Sequence, residues 1–499
     1  MKGEPAELAT AMRRKRAAWA VCAASVLFGC SVGPNYVRPN AEAPAAYKEA
    51  QGWKPAQPRD QQPRGPWWEV FNDAGLNALV AQVAITNQTI KAAEARVREA
   101  RALTEQARAA FFPIVTANAS ASRSGAGAGT TGSGNVGSTA GPSGGVRNSY
   151  NVSLDVNWEI DLWGRVRRTV EASEATGEAS VADLEAAKLS AQAQLALDYF
   201  LLRAQDADIR LLNDTVGAYE RSLQLTRNQY AVGVVGRADV AQAEAQLKST
   251  QAQAIDAGVQ RAQLEHAIAV LIGKPPAQFS IAAEAVSNEF PAIPVGLPSE
   301  LLERRPDIAA AERRAAAANA QIGVAEAAFF PSMTLSATGG FQSSVLSQLF
   351  SLPSRYWSLG PALAQVIFDA GLRRAQTTQA IATYDENVAN YRQTVLTGFQ
   401  EVEDNLAALR ILEQEASVQD EAVKAARESL AIVLNQYRAG TANYLAVIVI
   451  QAATLNNERT AITILGRRLT ASVALIKALG GGWNEAPPAT AGEQPKPGK

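Results

Sequence analysis

Gly127-Ala128-Gly129-Thr130-Thr131-Gly132 has the glycine spacing that can cradle a dinucleotide. That chemistry needs the glycines in a tight turn between a strand and a helix, with an acidic residue further on. Here they lie inside a run of Gly, Ser, Thr and Ala from Ser124 to Gly145, which reads as a loop. No Gly-Lys-Ser or Gly-Lys-Thr follows, so a phosphate cradle is absent as well. Two cysteines and one histidine are too few for a zinc site, a disulfide framework or an imidazole relay. His266 falls in a helical run and reads as a packed or surface residue. No catalytic residue, metal or cofactor is expected, and the chain reads as a non-enzyme.

The bulk numbers agree with architecture over catalysis. With 499 residues, 47% hydrophobic and 19% charged, the chain can bury several cores. Its net charge of -1 gives no attraction for nucleic acid.

Cys30 is the residue with chemistry left to explain. Arg13-Arg14-Lys15-Arg16 precedes an apolar run from Ala17 to Phe28. At about a dozen residues the run suits a secretory signal and falls short of the roughly 20 that span a membrane. Leu27-Phe28-Gly29-Cys30 resembles a bacterial lipobox, which implies cleavage before Cys30 and acylation of that residue, although Phe28 is bulkier than the motif usually has. The alternative is an ordinary signal peptide with Cys30 an incidental thiol. Ser31, in place of Asp, resembles lipoproteins sent to the outer membrane.

The elements that would position such a chain come in two copies. Ala110-Phe111-Phe112-Pro113 returns as Ala328-Phe329-Phe330-Pro331, and Asn228-Gln229-Tyr230 with Gly233 returns as Asn435-Gln436-Tyr437 with Gly440. From Phe112 to Phe330 the shift is 218 residues, and from Tyr230 to Tyr437 it is 207. The first copy therefore holds extra residues between these landmarks, most simply in the Gly/Ser loop. Each copy reads as a helix, two strands and two long helices. The first helix runs from near Leu76 to Phe111 and its counterpart from Glu300 to Phe329.

Around Tyr150 the chain alternates, with Val152, Leu154, Val156, Trp158 and Ile160 against Asn151, Ser153, Asp155, Asn157 and Glu159. Similar alternation follows Pro113 and Pro331, and the segment from Tyr356 to Phe368 is assigned mainly from the repeat. Strands of about 9–11 residues with one apolar and one polar face suit an outer-membrane barrel. A soluble sandwich with one buried face is the alternative. Four strands cannot close a membrane barrel, because an open edge in lipid leaves backbone groups unsatisfied. The chain must then oligomerise, and arithmetic alone allows a dimer with eight strands or a trimer with 12.

Leu195, Leu202, Ile209, Val216, Leu223 and Tyr230 recur every seven residues, and Val402, Leu409, Ala416, Val423, Leu430 and Tyr437 repeat the seam. Sustained heptads predict coiled-coil packing in long helices, from about Val181 and Gln393 to their tyrosines. The chain then turns at Gly233 or Gly440 and returns along Val240 to Ile272 or Val447 to Leu479.

Cys30-Ser31-Val32-Gly33-Pro34-Asn35-Tyr36, the Trp67-Trp68 pair with Phe71 and Asp73, Arg304-Arg305-Pro306-Asp307 and Ala328-Phe329-Phe330-Pro331-Ser332 together resemble the TolC/NodT-like outer-membrane factors of tripartite efflux systems. The closing Ala478-Leu479-Gly480-Gly481-Gly482-Trp483 resembles that family too. The resemblance implies a mainly α, α+β membrane protein and a homotrimer. Its 12-stranded barrel would lie in outer-membrane lipid and continue as a periplasmic α-helical barrel. It implies passive export of drugs or other small molecules, received from an inner-membrane pump through a periplasmic adaptor, the membrane-fusion protein. An outer-membrane secretion channel or an autonomous porin is the alternative.

The expected organisation is a signal peptide over 1–29, a lipidated arm over 30–75 and a first repeat over 76–272. That repeat has strands at about 113–124 and 149–161 and a helical hairpin at about 180–272. A linker at 273–298 leads to a second repeat over 299–482, with strands at about 331–342 and 355–368, a hairpin at about 373–480, and a tail at 483–499.

The family's adaptor contacts and periplasmic gate lie around the hairpin turns, here Ala231 to Asp239 and Arg438 to Ala446. Gly233, Gly236, Gly440 and Thr441 are thus candidate adaptor contacts. Many relatives carry acidic residues after the second turn, whereas this chain reads Asn443-Tyr444-Leu445-Ala446-Val447. Tyr444 with Leu445 to Val449 is therefore expected to restrict passage sterically or by dewetting, with Asn443, Arg237 and Asp239 beside it. Arg237 and Asp239 could instead solvate or cap a helix start.

Overall fold

The computed structural model describes residues 32–41, 43–44, 46–48, 66–125, 146–284 and 304–481. Cys30, the Gly/Ser loop from 126 to 145, most of the linker and the tail lie outside the described residues. Two compact units are present. The first comprises Met1–Pro39, Arg98–Glu178 and Glu312–Ala389, and the second Asn40–Val97, Ala179–Ala311 and Asn390–Lys499, as far as these residues are described.

A short 3-10 helix, Trp67–Phe71, leads into α1 (Ala74–Thr86) and α2 (Gln88–Ala109). The sequence reads as one helix here, and Asn87 breaks it. Its backbone is extended (ψ 125), and its Oδ1 accepts from the Thr89 and Ile90 amides at 2.9 and 3.1 Å. Its Nδ2 donates to the Leu271 carbonyl at 2.8 Å, so one side chain caps α2 and holds the helix end beside it.

The strands β1 (Ile114–Gly125), β2 (Val146–Ile160), β3 (Ser332–Ser343) and β4 (Arg355–Ala364) form one antiparallel sheet in the order β1-β2-β3-β4. β4 ends at Ala364, short of the expected Phe368, because its pairing with β3 ends at Ser332↔Ala364. Between the strand pairs and after them run α3 (Arg165–Ala231), α4 (Arg237–Leu271), α5 (Pro306–Ala327), α6 (Leu372–Arg438) and α7 (Tyr444–Ala478).

The helices α3 and α6 each have 67 residues, and α4 and α7 each have 35. Rich in Ala, Leu, Gln, Glu and Arg and free of proline, α3 and α6 have the propensity for such lengths. Both begin well before the Val181 and Gln393 that the heptads indicate. The Asp161 carboxylate accepts from the Val166 and Arg167 amides, and the Asp369 carboxylate from the Gly371 and Arg373 amides. These acidic starts satisfy donors at the helix end that no apolar periodicity marks.

The core of the second unit gathers Trp67, Phe71, Leu76, Leu195, Tyr199, Leu202, Ile268, Ile308, Val402 and Val473. A smaller cluster at the hairpin turns joins Tyr219, Leu223, Leu247, Val433, Tyr437, Tyr444 and Val447. The heptad seam is thus core along most of its length. Its last positions diverge: Tyr437 is 1% exposed and Tyr230 is 47% exposed.

Candidate functional site

Pairing places like with like on each side of the sheet. Val115 faces Val156, Leu154 faces Gly339, Trp158 faces Leu335 and Ala337 faces Leu359. Residues opposite one another share a face, so one side of all four strands is apolar. Val115, Leu154, Trp357, Leu359 and Leu363 on that side are each more than half exposed. Nothing among the described residues covers it, as a sandwich partner would.

The other side is a hydrogen-bonded polar surface. The Asp155 carboxylate accepts from Asn118 at 2.6 Å, from Ser153 at 3.0 Å and from Thr338 at 2.7 Å. Ser336 donates to Asn157 at 2.9 Å, and Tyr356 to Asn151 at 2.9 Å. A sheet with one greasy and one wet face fits a wall between lipid and water. Among the described residues no helix is long and apolar enough to cross a membrane.

At the base of the sheet, Trp163 stacks on Phe330 with centroids 4.8 Å apart and donates from Nε1 to the Pro331 carbonyl at 2.8 Å. The N-terminal arm is fixed to the same unit. The Val32 amide donates to the Trp163 carbonyl at 3.1 Å. The buried Arg168 guanidinium donates to the Val32 and Gly33 carbonyls and to Asn35 Oδ1. Tyr36 donates to Glu312 at 2.7 Å, and a Cβ on Gly33 (φ 93) would stand 2.4 Å from the Gly323 Cα.

In the second unit, Arg305 is 7% exposed and grips Asp307 with two bonds of 3.0 and 2.6 Å, Glu401 at 2.6 Å and the Ala478 carbonyl at 3.2 Å. Burial opposes its charge, but the bonds and charges of Asp307 and Glu401 outweigh that, and its pKa rises. Burial likewise acts against the Asp307 carboxylate, and Arg305 prevails and lowers its pKa. Asp73 accepts from the Leu76 amide at 2.9 Å and from the Tyr199 hydroxyl at 2.8 Å. The motif residues Arg305, Asp307 and Asp73 are therefore joints of the scaffold.

At the hairpin turns Gly233 and Gly440 adopt φ 78 and φ 74, the left-handed conformation that a Cβ penalises. Asp239 accepts from the Gly236 amide at 3.0 Å, and Asn443 from the Ala446 amide at 2.9 Å, so both act as helix caps. Arg237, Gly236 and Thr441 are exposed.

Tyr444 stands apart from the exposed residues with which the sequence grouped it. It is 2% exposed, and its ring lies 5.4 Å from that of Tyr437, whose hydroxyl meets Thr226 Oγ1 at 3.0 Å. Burial holds its pKa above the usual tyrosine value. Val447 is buried with it, whereas Leu445 and Val449 are 54% and 56% exposed, one helical turn apart. Val232 and Val234 on the first turn, 74% and 62% exposed, are apolar tip residues that the motif reading passed over.

Near the turns a cleft of about 510 Å³ is bounded by Tyr219, Ser222, Arg427, Leu434, Gln451 and Glu458. Gln451 Oε1 is buried there without a hydrogen-bond partner among the described residues. Among the described residues no three His, Cys, Asp or Glu side chains cluster to hold a metal ion.

A family model for outer membrane efflux proteins matches residues 79–274 and 297–481. The chain belongs to that family. This outer membrane efflux protein is 33% identical over 465 residues to the probable efflux pump outer membrane protein TtgC of Pseudomonas putida, a match covering 93% of this chain and 94% of the relative. It is 32% identical to the pyoverdine export outer membrane protein OpmQ of Pseudomonas aeruginosa, over 84% of this chain and 87% of the relative.

Among solved structures, the outer-membrane channel OprN aligns with a TM-score of 0.83 at 32% identity, covering 91% of this chain and 100% of that chain. The Campylobacter jejuni CmeC outer membrane channel aligns with a TM-score of 0.83 at 26% identity, over 91% and 95%. The efflux protein is thus an outer-membrane channel, in a family of channels rather than enzymes.

Proposed function

We propose that three copies of this chain, each built from two copies of one structural unit, close a 12-stranded barrel in the outer membrane. The barrel continues as an α-helical tube into the periplasm. Drugs or other small molecules pass passively through it, delivered by an inner-membrane pump and a periplasmic adaptor. The observation that carries this reading is the sheet. It has four strands, an exposed apolar face, a polar face and outer edges on β1 and β4 that pair with nothing among the described residues. Lipid does not tolerate such edges, so further copies must cover them.

At 1.5 Å per residue a 67-residue helix is about 100 Å long, a reach that a simple porin has no use for. Acylated Cys30 anchors the arm two residues before Val32. The adaptor docks at the turns around Gly233, Gly236, Gly440 and Thr441, and passage is restricted there by Leu445 and Val449 with Arg237. Asn443 and Asp239 cap the helices that carry them, and Tyr444 supports the constriction from within. The buried Gln451 Oε1, without a hydrogen-bond partner among the described residues, weakens the joint between the hairpins and favours its parting when the channel opens.

The test is export of a fluorescent drug from cells lacking their own outer-membrane channel. Export is expected only when this chain, its adaptor and its pump are present together. Equal permeation through this chain alone would establish a porin instead, and export of a protein substrate would establish a secretion channel.

A further inference from the structure

The apolar side of the sheet ends in charge. On β1 the residues of that side run Val115, Ala117, Ala119, Ala121 and then Arg123, and on β4 they run Leu363, Pro361, Leu359, Trp357 and then Arg355. The two arginines hold one place in the two hairpins. As Ile114↔Asn157 recurs as Ser332↔Ala364, so Arg123↔Asn148 corresponds to Phe341↔Arg355. Each hairpin thus carries one arginine on the apolar side at the same level, from opposite strands.

That level lies at the edge of the apolar band. Arg123 is nine residues from Ile114, and Phe341, opposite Arg355, is nine from Ser332. At about 3.4 Å per residue and a tilt of about 40°, nine residues climb about 23 Å, close to the roughly 25 Å of a barrel's apolar belt. With the helices in the periplasm, both guanidinium groups come level with the headgroups of the outward leaflet.

The protein does not answer this charge. From Pro113 to Leu154 and from Pro331 to Phe368 the sequence has no acidic residue, and its charged residues there are Arg123, Arg147 and Arg355. Arg123 and Arg355 are exposed, and neither guanidinium meets an acceptor among the described residues. Asp155, the next acid along β2, is on the polar side, held by Asn118, Ser153 and Thr338. Arg147 pairs with Ser124 and belongs to that polar side too. Beside Arg355 the loop after β3 folds onto the apolar side, with the Phe350 ring edge-on to Phe341 at 5.6 Å between centroids. Leu346, Phe350 and Leu352 in that loop are all exposed, so the surface around the cation is greasy and suits an amphiphile better than a free ion.

We propose that Arg123 and Arg355 each bind the phosphate of a lipid in the outward leaflet, with the apolar row beneath each arginine against the acyl chains. The inference rests on the membrane orientation proposed above. A guanidinium donates two parallel bonds to phosphate oxygens, and its planar fork keeps that geometry at a lipid headgroup. The preferred ligand is a lipid with phosphate monoesters, whose charge of about -1.5 to -2 exceeds that of a diester.

The test titrates the full-length protein in detergent with bisphosphorylated lipid A, and with the same lipid after phosphatase treatment, and counts bound lipid by native mass spectrometry. Wild type is expected to bind the phosphorylated form at least about tenfold more tightly, the scale of a charge-assisted hydrogen bond. Arg123→Gln with Arg355→Gln is expected to bind both forms alike, at the level of the dephosphorylated lipid. Arg147→Gln removes one charge from the polar side and is expected to bind as wild type. If the double variant fails to fold, the comparison of the two lipids on wild type still decides. Equal binding of both forms by wild type, an unchanged preference in the double variant, or an equal loss in Arg147→Gln overturns the site. Displacement of the lipid by excess inorganic phosphate would make it a site for free phosphate and overturns it as well. Drug export by the same wild-type chain with its adaptor and pump separates the two readings. Export without a lipid preference leaves the channel standing, and failure to export overturns the channel itself.

Discussion

The residues that make this chain recognisable are mostly joints. Arg305 ties Asp307, Glu401 and the Ala478 carbonyl together, while Arg168 holds the backbone of residues 32 and 33. Arg305→Ala is expected to destabilise the protein by about 2–3 kcal/mol, the scale of lost charge-assisted hydrogen bonds. The larger loss typical of a closed ion pair does not apply, because Asp307 and Glu401 are 38% and 43% exposed. A denaturant titration measures it. The pH dependence has a definite sign. Asp307 has a lowered folded pKa, so its contribution is complete above the ordinary carboxylate pKa and is lost as pH falls through the lower folded value. The gap between wild type and Arg305→Ala should therefore narrow in acid and stay constant at neutral pH.

Among the elements, the second hairpin turn separates two roles that the sequence joined. Tyr444 opens α7 and faces inward onto Tyr437, whereas Leu445 and Val449 face outward from the same helix. Conductance in a bilayer and amide exchange at the turn distinguish support from constriction. Leu445→Ala is expected to raise conductance several-fold while exchange stays as in wild type. Tyr444→Ala is expected to raise both, because truncating a buried aromatic costs about 3–5 kcal/mol and loosens the turn. Unchanged conductance in both variants would place the constriction elsewhere. The heptad seam was readable because burial every seven residues leaves its mark in side-chain type. The heptads do not mark the starts of α3 and α6, because Asp161 and Asp369 act through backbone donors and carry no periodic signal.

For the whole molecule, the proposed acylation of Cys30 requires that a lipid anchor and the sheet meet the same bilayer. Val32 bonds to Trp163, directly after β2, so an acyl chain on Cys30 starts within two residues of the base of the sheet. Cells grown with labelled palmitate are expected to incorporate it into the wild-type chain and not into Cys30→Ser. The variant should keep the proposed trimer, since its strand edges are unaltered. Label retained by Cys30→Ser would remove the anchor from that position.

Sequence by itself determined the strand faces, the long hairpins, the paired landmarks and the family. Each depends on a local period or on ordered motifs that survive without knowledge of contacts. Tertiary structure alone decided that Tyr437 is buried and Tyr230 exposed, that Asn87 divides a helix, and that Tyr444 supports the turn from inside. Tyr230 and Tyr437 each end an Asn-Gln-Tyr sequence but have different neighbours across the fold. Burial is set by those neighbours, and no local period encodes them.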